Sequence, residues 1–372
     1  MSVGVREHQS RGKAIDSMRK KIRILIADDS TVVRRLLSEV LGREPRIEVV
    51  GIASNGTEVV QLFSRVQPDV VLLDVELPDM DGVQAVDEIR KIHRTVPIVM
   101  LSSLTIKGGE ATLDALNRGA SDCVAKPPRV GHLNEAAAYV RENLTPKIVA
   151  WGSSLKPPTR RARVLARPTS RPGQVEVVAV GVSTGGPKAL ADLLSSIPVD
   201  FPVPIVVVQH MPPLLTQLLA DRLDQVCPLR VREAVHDARL RRGDVWVAAG
   251  DLHLRVARHG PRTRLQLDDS PPEHSCRPAV DVLFRSVARA FQDRCIALVL
   301  TGMGKDGLEG SRAIVNAGGR IIAQDEQTSA VWGMPRAVAE AGLAERNLPL
   351  HEMAGELCEL VYEQTTASSS GG

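Results

Sequence analysis

Short runs of aliphatic and β-branched residues recur along the first half of the chain, at Ile22 to Ala27, Ile47 to Ala53, Val70 to Val75, Ile98 to Leu101 and Cys123 to Ala125. Between the first two, Val32, Val33, Leu36, Leu37, Val40 and Leu41 recur at i, i+4 and i+8, the apolar stripe of an amphipathic helix. Continuous apolar runs alternating with helical patterns predict strands buried on both faces and joined by helical crossovers, hence a parallel sheet. Five such units fit residues 21–143 and predict a (βα)5 doubly wound α/β domain.

Residues 144–174 break the pattern with five prolines, seven basic residues and no acid. Proline removes backbone donors and like charges keep a chain extended, so this stretch is expected to be an inter-domain linker. Strands are predicted again at Val175 to Val182, Ile205 to Val208, Val245 to Ala249, Cys295 to Leu300 and Arg320 to Ala323. His253 to Ala257 and Arg264 to Leu267 flank His259-Gly260-Pro261 as a hairpin, and Val280, Leu283, Phe284, Val287 and Phe291 make a helix stripe. A second α/β domain, a parallel sheet with an antiparallel hairpin insertion, is therefore expected over residues 175–365. Residues 1–20 and 366–372 are expected to be disordered extensions.

Composition narrows the classes. The chain has 372 residues, room for two domains at roughly 150 residues each. Apolar residues make up 43% and charged residues 24%, enough to bury ordinary cores. Runs such as Ile205 to Val208 and Ile296 to Leu300 fall far short of the ~18 apolar residues of a membrane span. The polar start, through Arg11, Lys13 and Arg19, lacks the apolar stretch of a secretory signal, and Met18 is a candidate start of translation. A cytoplasmic protein that is not integral to a membrane is expected. With 47 basic against 44 acidic residues the net charge is +3, without the basic footprint of a nucleic-acid binder. The five scattered cysteines include no C-x-x-C pair, which argues against a disulfide framework or a structural zinc site and for reduced thiols.

Two constellations carry candidate chemistry. Asp28 and Asp29 end the first predicted strand, Asp74 the third, Ser102 the fourth, and Lys126 follows the fifth. Ligands of open parallel sheets bind at the carboxyl ends of the strands. Carboxylates gathered there repel one another unless a cation is present, and Mg²⁺ suits them. A single Asp at a strand end commonly serves only a turn or a cap; five suitable groups on four strand ends of one sheet fit that account poorly. The pattern over residues 21–143 resembles the receiver domain of two-component response regulators. The resemblance implies that Asp74 accepts a phosphoryl group from a histidine kinase. Asp28, Asp29, Asp74 and the Glu76 backbone carbonyl would serve the Mg²⁺ site, while Ser102 and Lys126 meet the phosphoryl oxygens. It also implies a cis Lys126–Pro127 bond. Cys123 stands where the family usually carries a switch aromatic.

In the second half, Gly181-Val182-Ser183-Thr184-Gly185 satisfies G-x-S-x-G at a strand-to-helix turn, the context that exposes a nucleophilic hydroxyl. A glycine-rich turn of this kind could equally cradle a nucleotide phosphate, although it matches neither G-x-G-x-x-G nor the Walker pattern. A serine needs a base, and the base an orienting group. His210 ends the buried run Ile205 to Gln209, on the same sheet edge as Ser183, and Asp306 lies in the glycine-rich Leu300 to Gly307 segment. The order Ser, His, Asp differs from the Ser, Asp, His of α/β-hydrolases, so the short motif does not assign that fold.

These motifs, with Gln209-His210-Met211, Cys276-Arg277-Pro278-Ala279-Val280-Asp281, Thr301 to Gly307 and Gln324-Asp325-Glu326 before Gly333-Met334-Pro335, resemble the catalytic domain of the chemotaxis protein-glutamate methylesterases. The resemblance implies that Ser183 attacks a methylated glutamate on a methyl-accepting chemoreceptor. His210 would act as general base and Asp306 would hold its tautomer. The N–H of Met303 and one at the Thr184 turn are the oxyanion candidates. Glutamine deamidation would be a second activity, and no cofactor is expected in this half. The receiver would cover the cleft until Asp74 is phosphorylated. Arg277 and His274 are candidates to line the cleft, with a packing role as the alternative. The competing class is a receiver joined to a non-catalytic module that binds a partner or nucleotide.

Overall fold

The computed structural model describes residues 20–103, 105–127, 133–153, 175–260 and 262–369. They form two compact units: the first runs to Ser102 and resumes at Arg118, and the segment Ser103–Asn117 groups with the second.

In the first unit β1 (Ile22–Ala27), β2 (Ile47–Ala53), β3 (Val70–Asp74), β4 (Ile98–Ser102) and β5 (Asp122–Ala125) make one parallel sheet in the order β2-β1-β3-β4-β5. Its helices are α1 (Thr31–Gly42), α2 (Gly56–Val66) and α3 (Gly82–Ile92); α4 (Ile106–Asn117), between β4 and β5 in the chain, is in the segment that groups with the second unit, and α5 (Leu133–Tyr139) follows β5. Local chemistry starts them. The Ser30 and Asn55 side chains accept the Val33 and Glu58 N–H groups, and Asp81 with Gln84 forms a reciprocal capping box. Leu37, Val40 and Leu41 of the α1 stripe are buried against Ile24, Ile26 and Leu72, whereas Val32 is 51% exposed. Strand order reverses beside β1, so the ends of β1 and β3 form the crevice where doubly wound sheets bind ligands.

The linker expectation needs correction at its start. After a π-helical turn at Val140–Leu144 the chain continues as α6 (Thr145–Ser153). Val140, Leu144 and Ile148, spaced by four, are buried in the same core as Ile22 and Ile24. Pro146 falls at the junction of the π-helical turn and α6. The rest of the expected linker, residues 154–174, lies outside the described residues, as does the expected N-terminal extension through residue 19.

The second unit is built on β6 (Val177–Val182), β7 (Ile205–Gln209), β8 (Arg230–Glu233), β9 (Asp244–Val247), β12 (Cys295–Val299), β13 (Arg320–Gln324) and β14 (Arg346–Leu348). These seven strands are all parallel, in the order β14-β13-β12-β6-β7-β9-β8. The expected hairpin is present as β10 (His253–His259) and β11 (Arg262–Asp268), in register from His253 opposite Asp268 to His259 opposite Arg262. Helices α7 (Gly186–Ser195), α8 (Leu215–Val226), α9 (Val280–Phe291), α10 (Leu308–Asn316) and α11 (Met334–Glu340) complete the unit with α12 (Leu350–Ser369). The whole α9 stripe is buried against Val177, Val299 and the hairpin residues Leu254 and Leu265. The two strands that hydropathy missed, β8 and β14, are short polar edges paired on one side only. The last helix also runs through Ser369, so residues 366–369, expected to be disordered, are helical.

Candidate functional site

In the second unit the three predicted groups stand on neighbouring strands. Ser183 follows β6 at the centre, His210 follows β7 on one side, and Asp306 lies in the loop after β12 on the other. Backbone bonds lace these ends together. Ser183 N–H donates to Thr301 O at 3.0 Å, His210 N–H to Val182 O at 3.2 Å and Leu300 N–H to Gly181 O at 2.9 Å. Gly185 takes φ 79° to turn the chain into α7, a conformation that favours glycine. Gly302 permits a close approach: a Cβ there would lie 2.8 Å from Ser183 Cβ and 2.4 Å from Met334 Sδ.

His210 Nε2 meets Asp306 Oδ2 at 2.8 Å. Asp306 is buried, yet both oxygens are filled: Oδ2 also accepts Val280 N–H at 2.7 Å, and Oδ1 accepts Asp281 and Gly307 N–H at 2.9 Å each. Burial pushes its carboxyl up, but the imidazole and these N–H groups outweigh it and hold the group below the ordinary carboxylate range. For His210, burial opposes the charged form; Cys276 and Asp306 more than offset it, and the imidazolium is held up to about 10. With Nε2 committed, Nδ1 is the nitrogen left to act as base. It lies 3.7 Å from Cys276 Sγ. Among the described residues the Ser183 hydroxyl makes no hydrogen bond to it, a spacing common before substrate is bound.

The N–H groups of Thr184 and Met303 have no acceptor among the described residues, as oxyanion donors require. Arg277 spends its donors locally, on Asp251 Oδ1 and the carbonyls of Asp269 and Ser270, and His274 Nε2 sits 2.9 Å from the buried Asp281. Both therefore hold loops together. Sequence reasoning gave no role to Gln209, whose buried Nε2 donates to Ser183 O at 3.0 Å and His210 O at 3.1 Å. Nor did it give one to Thr301, whose Oγ1 donates to Thr184 O at 2.9 Å. Their place in the quoted motifs was the available signal.

In the first unit Asp28, Asp74 and Ser102 are buried at strand ends, while Asp29 is exposed. Oxygens of Asp28, Asp29 and Asp74 lie within 4.8 Å of one another. Lys126 Nζ approaches Asp74 Oδ2 at 2.6 Å and Asp28 Oδ2 at 3.1 Å, and Glu76 N–H donates to Asp74 Oδ1 at 3.2 Å. Burial is the first cause raising the Asp74 carboxyl to about 7; Asp28 adds to it and Lys126 opposes it. Asp28 is raised by burial as well. Its Oδ2 has no well-aligned hydrogen-bond donor among the described residues, with Lys126 Nζ 3.1 Å away. A clustered hard-oxygen set with an orphaned buried atom fits Mg²⁺. The expected cis bond at Lys126–Pro127 is not found; the one cis peptide among the described residues is Arg277–Pro278. Lys126 reaches both carboxylates without it. Cys123, at the usual aromatic position, is buried.

Residues 178–357 match the family model for CheB methylesterase, and residues 24–138 that for the response regulator receiver domain. A protein-glutamate methylesterase/protein-glutamine glutaminase from Trichodesmium erythraeum is 44% identical over 345 residues, covering 91% of this chain and 98% of the relative. One from a Nocardioides species is 47% identical over 353 residues, covering 92% and 96%. The crystal structure of the Thermotoga maritima CheB methylesterase catalytic domain is 41% identical, with a TM-score of 0.50. It covers 50% of this chain and 100% of that one.

Proposed function

Because the chain belongs to the family of CheB protein-glutamate methylesterases/protein-glutamine glutaminases, we propose that Ser183, His210 and Asp306 carry the ester and amide hydrolysis that defines it. The enzyme demethylates glutamate methyl esters on chemoreceptors and deamidates glutamines there, under control of its receiver domain. The observation that supports the residue assignment best is the His210–Asp306 pair on strands flanking the Ser183 turn.

Ser183 Oγ attacks the side-chain carbonyl carbon while His210 Nδ1 takes the hydroxyl proton. Asp306 keeps the proton of Nε2 in place and balances the imidazolium charge. The tetrahedral oxyanion is received by the N–H groups of Met303 and Thr184, each worth about 10²–10³ in rate by analogy with other oxyanion holes. Collapse expels methanol, or ammonia from glutamine, protonated by His210. Water then attacks the acyl-serine with His210 again as base, restoring the hydroxyl.

In the receiver, residues 21–143, the Asp74 carboxylate attacks the phosphorus of a histidine kinase's phosphohistidine, and the P–N bond breaks as the kinase's imidazole leaves. Lys126 and Ser102 meet the transferred oxygens. Asp28, Asp29, Asp74 and the Glu76 carbonyl would hold Mg²⁺, which when bound neutralises charge between the carboxylates and the phosphoryl group. A kinase donor and a receptor's signalling helices as substrate support a cytoplasmic location; among the described residues no helix is long and apolar enough to cross a membrane.

Methanol release from a methylated receptor cytoplasmic fragment, with and without a small phosphodonor and Mg²⁺, tests this reading. Release should rise with the phosphodonor and fall by at least about 10³-fold in Ser183→Ala. Unchanged release in that variant would reject Ser183 as nucleophile. No release at all despite phosphorylated Asp74 would favour a non-catalytic binding module.

A further inference from the structure

Cys276 is a nucleophilic side chain beside the active site that the reaction above does not use. It lies in the loop ahead of α9 and is half-buried, with Sγ 3.7 Å from His210 Nδ1. On the far side of the ring, Nε2 is tied to Asp306 Oδ2 at 2.8 Å, and Asp306 is itself fixed by three backbone N–H groups. Thiol, imidazole and carboxylate thus stand in series, the arrangement by which an imidazole draws the proton from sulfur. We infer that Cys276 is a covalent modification site for soft alkylating electrophiles, primed by His210 and Asp306, and that its modification blocks the nitrogen Ser183 needs.

The step is balanced. With the proton held on His210 Nδ1, the thiolate sulfur bonds to the electrophile's carbon and the leaving group departs with its electron pair; with iodoacetamide the C–I bond breaks and iodide leaves. The product is a neutral thioether whose bulk sits against the base nitrogen. Among the described residues the other four cysteines have no such partner. Burial, reinforced by a neighbouring aspartate in each case, pushes Cys123 and Cys295 up to about 12 and Cys227 up to about 11, and raises Cys358. A thiol paired with an imidazole is alkylated faster than an unpaired one, by roughly tenfold or more.

The test treats the full chain with limiting iodoacetamide and follows each cysteine-containing peptide by mass spectrometry alongside methanol release. Cys276 should be alkylated first, at least about tenfold faster than the other four, with activity lost in step. His210→Ala, and separately Asp306→Asn, which keeps the imidazole, should each slow Cys276 labelling toward the common rate. Another cysteine labelled as fast, or Cys276 labelling unchanged in both variants, overturns the inference. The loss of activity rests on His210 being the general base, whereas the labelling does not. Fast, His210-dependent labelling with methanol release intact would therefore overturn the blocking of the base and leave the primed thiol standing.

Discussion

The two chemical sites occupy equivalent places, the carboxyl ends of adjacent strands in parallel sheets, yet their electrostatics are opposite. Asp306 has four donors on its two oxygens and is held below the carboxylate range despite burial. Asp74, buried as deeply, has one ammonium and one N–H, faces a second buried carboxylate, and is raised to about 7. Depth of burial is thus not what sets the charge state. The number of donors aimed at each oxygen decides it. A satisfied carboxylate is a fixed part that orients a base. An unsatisfied one is a reactive part that a cation or a phosphoryl group completes.

Removing the satisfied charge should be the costliest test of that contrast. Asp306→Asn should lower kcat by about 10³–10⁴-fold with little change in KM, because the amide no longer balances the imidazolium or fixes its tautomer. A loss under tenfold would mean that the four donors serve the fold and not the reaction.

The pH profile comes next. In the proposed mechanism His210 must be neutral to accept the Ser183 proton, and its imidazolium is held up to about 10. The rate with saturating phosphodonor should therefore climb about tenfold per pH unit from neutrality into the alkaline range. A plateau from pH 7 upward would show that Cys276 and Asp306 do not hold the proton. The stability linkage has the opposite slope. The raised value makes the imidazolium stabilising, fully so below the ordinary 6.5, and that contribution is lost as pH rises through about 10.

A smaller effect is expected at the unsatisfied carboxylate. With Asp74 raised from 3.8 to about 7, its protonated form favours the fold, and that advantage is lost as pH rises through about 7. At pH 8 without Mg²⁺, Asp74→Asn should stabilise the receiver by roughly 1–3 kcal/mol and end phosphodonor stimulation. Added Mg²⁺ should narrow the gap by stabilising the wild type alone. Denaturant melts with and without the ion check both parts, and equal melts throughout would remove the contrast. Smallest of all, Gln209→Ala frees the Ser183 and His210 carbonyls from their shared donor. It should cost about 1–3 kcal/mol of stability, with kcat reduced more than KM is raised.

How much of this was legible depended on whether the signal was local. Hydrophobic runs located the core strands β1, β3 and β7 within a residue, because a strand buried on both faces admits only apolar side chains. Edge strands β8 and β14 carry charged residues and left no such run. The segment through Ser153 was misread from its prolines and charges, while Val140, Leu144 and Ile148 already had helical spacing.

Sequence by itself determined the core strands and the parallel sheets, and singled out Ser183, His210, Asp306 and the acidic cluster as candidates, since each of these signals lies within a few neighbouring residues. Tertiary structure alone decided how those groups face one another. It put Asp306 and His210 on strands either side of β6, filled both Asp306 oxygens with N–H groups from α9 and its own loop, and left Asp28 Oδ2 without a well-aligned donor. It also brought Cys276 to the imidazole across 66 residues of chain. Hydropathy is a property of each residue where it stands, but a hydrogen bond or a shifted pKa belongs to a pair, and only the folded chain chooses the pairs.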